Sequence, residues 1–142
     1  MWADTLLVAE HAHVARLLAW GGGSVLVGSA LLAWMYMGRR TSVLLEHFGI
    51  QTAAWGAVEL VIGAMAKASL VPRDLAAATR LDRFLWLNVG LDVGYLFVGV
   101  TLVATGWTLG RRLGLVGAGV AVVVQGIALA LLDLLLASQI SR

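Results

Sequence analysis

The stretch FGIQTAAWGAVELVIGAMAKASL, residues 48–70, decides the fold. As an α-helix rising 1.5 Å per residue it is about 35 Å long, enough to cross a hydrocarbon core of roughly 30 Å. Its only charged side chains are Glu59 and Lys67. A charge near the bilayer centre costs at least about 2.5 kcal/mol even on lenient scales, so each must face protein, water or another charge. Gly49, Gly56 and Gly63 recur every seven residues along it. Such a stripe of small residues lets a straight helix approach a neighbour with the slight left-handed crossing of a helix bundle.

Three more apolar runs of spanning length flank this one, at residues 17–38, 84–108 and 113–138. Of the 142 residues, 61% are hydrophobic and only 13% charged, and mean hydropathy is +0.91. Soluble domains carry about a quarter charged residues, so the composition places the chain in the membrane. The expected fold is all-α: an antiparallel four-helix transmembrane bundle, one membrane domain over residues 1–142, with both termini on one side. The first apolar run follows Glu10, His11, His13 and Arg16 without a small-residue cleavage site, so it is expected to be retained. With no cysteine, disulfides, thiolate metal sites and iron–sulfur clusters are excluded. The net charge of +2 is mild and the arginines sit in doublets at span ends, a membrane-anchoring pattern unlike a nucleic-acid surface.

Residues 1–16, MWADTLLVAEHAHVAR, mix Trp2, Leu6, Leu7 and Val14 with acids and histidines, as an interfacial amphipathic helix would. Gly38-Arg39-Arg40 and Gly110-Arg111-Arg112 form tight turns, and Pro72 is expected to open a short helix that runs into the third span. Arg16, Arg73, Arg80, Arg83 and Arg142 lie on the side of the termini, against Arg39, Arg40, Arg111 and Arg112 on the other. That balance does not orient the chain. Trp20 and Trp34 bracket the first span and Trp86 and Trp107 the third, as aromatic belts do, whereas Trp55 lies two turns inside the second.

Glycine pairs seven apart recur in every span: Gly21 and Gly28, Gly49, Gly56 and Gly63, Gly99 and Gly106, Gly119 and Gly126. The intramembrane acids share those stripes. Asp92 is seven before Gly99, Asp133 seven after Gly126, and Glu59 three after Gly56, so all three should face neighbouring helices. Asn88 and Tyr95 flank Asp92 on one helix face. The expected polar seam is Glu59, Lys67, Asn88, Asp92, Tyr95, Gln125 and Asp133. Depth counting divides it into a layer where Lys67 meets Asp133 or Asp92 and a midplane where Glu59, as a neutral acid, bonds Gln125.

His13 and His47 are the candidate ligands for a pigment or metal, with solvated interfacial side chains as the plainer alternative. His11 and His13 point about 200° apart on a helix and cannot both grip one ion. No catalytic triad, phosphate loop or zinc motif is present, so no enzyme activity is expected.

Residues 48–56, Phe48-Gly49-Ile50-Gln51-Thr52-Ala53-Ala54-Trp55-Gly56, running on to Glu59, resemble a family of small uncharacterised four-helix membrane proteins of bacteria. The same holds for residues 117–133 with Gln125-Gly126 and the closing Asp133. The resemblance extends over the whole chain and implies a bacterial cytoplasmic membrane. It carries no assigned activity and no catalytic residue.

The sequence favours a non-catalytic membrane subunit that packs against and stabilises a larger membrane complex, respiratory or photosynthetic, with bound lipid and no required cofactor. The alternative is an independent proton- or cation-coupled carrier using Glu59, Asp92 and Asp133, with a homo-oligomer supplying further surface. A third is a haem- or tetrapyrrole-associated subunit.

Overall fold

The computed structural model describes residues 2–140, the side chain of Trp2 excepted; Met1, Ser141 and Arg142 lie outside the described residues. Four α-helices follow one another: α1 (Trp2–Met37), α2 (Val43–Ala68), α3 (Leu75–Thr108) and α4 (Leu113–Ile140). Each is long and apolar enough to cross a membrane. The chain is an all-α, multi-pass membrane protein.

Local chemistry sets the helix ends. Ser42 caps α2 by accepting the Leu45 amide, and Asp74 caps α3 by accepting the Ala77 amide at 2.6 Å. Both supply an acceptor for donors that a helix start leaves bare. After α1, Arg39 takes a left-handed φ of 47° and the Arg40 amide returns to the Met35 carbonyl, closing the helix with a Schellman-type turn. After α3, Gly110 and Arg111 are both left-handed. Arg40 and Arg111 fold back over Trp34 and Trp107 with cation to ring-centre distances of 5.0 and 5.5 Å. The two arginine turns thus tie their charges to belt tryptophans.

Three local expectations are corrected. Residues 2–16 are no separate interfacial helix but the first turns of the 36-residue α1. Leu6, Glu10, Val14 and Leu17 are buried at helical spacing, and Ala9 packs on a cluster of Leu85, Leu136 and Ala137 that Ile140 also joins. That burial gives the segment a protein surface in place of the membrane interface. Helix α2 begins five residues before the hydropathy boundary, since Ser42 and not the edge of the apolar run starts it. Pro72 lies in the loop ahead of the Asp74 cap and does not open the helix, although α3 does run unbroken from Leu75 into the third span.

Glycines bring the helices together in pairs. A methyl group on Gly28 would stand 2.6 Å from the Gly49 oxygen, and one on Gly56 would stand 2.6 Å from the Gly21 oxygen, so α1 and α2 touch backbone to backbone. Gly99 and Gly119 do the same for α3 and α4. Gly117, absent from the predicted set, presses on the Leu44 carbonyl and brings α4 against α2. Helix α4 packs on all three others, whereas the backbone of α3 approaches neither α1 nor α2. The backbone of α3 therefore stands apart from both α1 and α2, and a cleft lined by all four helices opens beside it.

Candidate functional site

Where α2 and α3 diverge they leave a cleft of about 940 Å³ that reaches from the Pro72 loop to mid-bundle. Its lips are apolar: Val58, Ile62, Phe84 and Leu91 line it yet remain half exposed on the outer face. Its walls are largely apolar, and the polar side chains set among them descend in steps.

At the mouth, Arg73 Nε donates to Glu10 Oε1 at 2.7 Å, joining the loop to α1. Glu10 is buried, and its carboxylate holds the Arg73 guanidinium above its ordinary pKa, first by that hydrogen bond. One turn further in, His13 bridges α1 to α4. Its Nδ1 lies 3.2 Å from the Leu132 carbonyl, and its Nε2 lies 3.5 Å from Asp133 Oδ1. A carbonyl only accepts, so Nδ1 carries a hydrogen and Nε2 faces the carboxyl. Asn88 on α3 hydrogen-bonds the same carboxyl.

Deeper still are Glu59 and Asp92, on opposite walls and close enough for their charges to interact. Glu59 is 2% exposed and Asp92 5%. Neither Glu59 oxygen has a hydrogen-bond partner, and nor does Asp92 Oδ2. Trp55 and Tyr95 meet edge to face from α2 and α3, centroids 5.1 Å apart, one turn from the two acids.

The column ends at Gln125, whose Oε1 accepts from Trp20 Nε1 at 2.6 Å and whose Nε2 donates to Ser24 Oγ at 3.1 Å. Beyond it the paired glycines seal the half of the bundle nearest the arginine turns. The molecule is polar inside on one half of its depth and close-packed on the other.

Several predicted contacts are replaced. Lys67 is exposed, and the partners of Asp133 are His13 and Asn88. Gln125 serves Trp20 and Ser24, leaving Glu59 without it. Trp20 faces the interior, contrary to its expected place in a belt, whereas Trp34, Trp86 and Trp107 stand exposed. His13 is a half-buried bridge, and His47 lies exposed over Gly114, so the two candidate ligands occupy different ends of the bundle. Glu10, Ser24 and Arg73 were missed. Glu10 was within reach, because Leu6, Glu10, Val14 and Leu17 repeat with the period of one helix face.

Residues 16–134 match the model of a family described as "Family of unknown function (DUF6992)". The chain belongs to the DUF6992 family. The matched residues contain His47, Glu59, Asp92, Gln125 and Asp133 and leave out Glu10 and His13. The inner part of the cleft therefore lies within the family match, while the α1 side of its mouth lies before it. No curated protein and no solved structure matches the chain.

Proposed function

We propose that this DUF6992 chain is a proton- or cation-coupled carrier of a bacterial cytoplasmic membrane, with Glu59 and Asp92 as the groups that exchange protons for cargo. The observation that carries this is a pair of buried carboxyls at the inner end of the cleft, Glu59 with both oxygens unpartnered and Asp92 with its Oδ2 unpartnered. Interhelical glue uses polar atoms to bond one helix to another. Gln125 fits that description, bridging α4 to two side chains of α1. Glu59 does not: both its oxygens are bare. Burying a polar group without a bond costs free energy that a purely structural residue would not incur. A carboxyl kept bare in a cleft is instead ready for a proton or a cation.

Reconstitution into liposomes containing a pH-sensitive dye tests this. The wild-type chain should dissipate an imposed gradient, and Glu59→Gln should reduce the flux by about tenfold or more, the loss expected when a buried charge partner is removed. Equal flux in wild type and Glu59→Gln, or none above empty vesicles, overturns it.

A second reading, the non-catalytic subunit of a larger complex, draws support from α3. The backbone of this helix comes close only to that of α4, and the helix presents Trp86, Phe97 and Val100 to its surroundings. Gentle detergent extraction followed by sizing separates the two: co-migrating membrane proteins support a subunit, and a bare chain counts against it.

A further inference from the structure

We infer that the cleft between α2 and α3 is a binding site for a hydrophobic organic monocation that enters sideways from the bilayer. This names the cargo class of the carrier proposed above and rests on that reading.

Sign comes first. The arginines near the cleft are engaged or peripheral: Arg73 is bound to Glu10 and Arg80 is exposed at the mouth, while His13 is taken up by Leu132 and Asp133. Among the described residues Glu59 and Asp92 have no ion-pair partner; both residues line the cleft, and both Glu59 oxygens and Asp92 Oδ2 are buried without a hydrogen bond. A ligand that satisfies them is positive.

Shape and chemistry come next. Trp55 and Glu59 stand one turn apart on α2, and Asp92 and Tyr95 one turn apart on α3, so each helix presents an acid beside an aromatic ring. The rings meet at 5.1 Å and 67°. A carboxylate pair beside π-faces attracts a diffuse organic cation by charge and by cation–π contact together. A small metal cation instead needs a cage of several oxygens, whereas here Val58, Ile62, Phe84 and Leu91 supply hydrocarbon. The volume of about 940 Å³ lies within the range of sites for drug-sized ligands.

Access comes last. The lip residues Val58 (49%), Ile62 (53%), Phe84 (57%) and Leu91 (50%) are exposed on a surface that spans the membrane. A molecule dissolved in lipid reaches the acids without crossing the glycine-sealed half.

The test measures equilibrium binding of radiolabelled tetraphenylphosphonium to the purified full chain in detergent, beside tetraphenylborate, which has the same shape and the opposite charge. Saturable binding of the cation is expected, with the borate weaker by about tenfold or more, and Glu59→Gln and Asp92→Asn each weakening the cation by a similar factor. Trp55→Leu should weaken it by about fivefold, the value of one cation–π contact. No saturable binding, equal binding of borate, or undiminished binding in the Glu59→Gln/Asp92→Asn double variant overturns the inference. The comparison of charges uses the unaltered chain, so it holds even where a variant fails to fold. Cation binding without liposome flux sinks the carrier and leaves the site standing; proton flux without cation binding sinks the site alone.

Discussion

Trp20 donates its indole N–H to the Gln125 side-chain oxygen at 2.6 Å, and this bond settles the fate of the midplane. With its amide nitrogen aimed at Ser24, Gln125 turns both ends of its amide toward α1, and neither Glu59 oxygen receives a bond from it. Replacing Trp20 by Phe leaves a buried amide oxygen bare. Stability in detergent should fall by about 1 kcal/mol, the usual net value of an interhelical hydrogen bond in a membrane protein. Trp86→Phe, at an exposed ring, should barely shift the thermal midpoint. Equal shifts in the two variants would show that the Trp20 bond contributes nothing.

The glycine contacts predict a contrast within a single helix. A methyl group on Gly28 meets Gly49 O at 2.6 Å and Ala53 N at 2.7 Å, both backbone atoms that cannot step aside, whereas one on Gly23 meets nothing within 4 Å. Gly28→Ala should destabilise by about 1–3 kcal/mol through overpacking. Gly23→Ala should be neutral, or stabilising by up to about 1 kcal/mol from helix propensity. Thermal unfolding of both variants, followed by circular dichroism, checks the order.

His13 and Asp133 form a pair whose proton inventory limits what can replace the acid. Since Nδ1 donates to Leu132, the other ring nitrogen is left to face position 133, and the N–H of an amide there can donate to it. Asp133→Asn should stay within about 1 kcal/mol of wild type, and Asp133→Leu should not. A double-mutant cycle of Asp133→Leu with His13→Phe should return a coupling of about 0.5–2 kcal/mol. Additive losses would show that the two side chains do not interact.

Arg73 and Glu10 should respond unequally to loss of their partner. The Glu10 side chain is 5% exposed and that of Arg73 25%, so Arg73 can turn to water and Glu10 cannot. Arg73→Gln, which strands a buried carboxylate, should therefore cost more than Glu10→Gln, by about 1–3 kcal/mol. Chemical denaturation in mixed micelles measures the difference, and the reverse order would contradict the burial of Glu10.

Much of this was legible because it depends on a single helix at a time. Whether a run crosses a membrane follows from length and apolarity, and whether Glu59, Asp92 and Asp133 face inward follows from their spacing to glycines on the same helix. The structure places Glu59 and Asp92 among the most buried side chains and puts Gly21, Gly28, Gly49, Gly56, Gly99 and Gly119 at backbone contacts. Apart from the helix starts at Ser42 and Asp74, which local capping sets, the failures concern two helices at once. Lys67 is the expected neighbour of Asp133 by depth and His13 is the observed one; a helix turns about 100° per residue, so a small difference in rotation or stagger between helices brings one in and expels the other.

By itself, then, the sequence determined four membrane-length helices, their glycine seams and an acidic interior, because periodicity and transfer free energy act along one chain segment. Only the tertiary structure decided that the backbone of α3 approaches that of α4 alone, that Gln125 belongs to Trp20 and Ser24, and that Glu59 and Asp92, with three unpartnered oxygens between them, line a cleft. Those outcomes depend on how whole helices rotate and diverge when all their faces are packed together, and no local pattern encodes that.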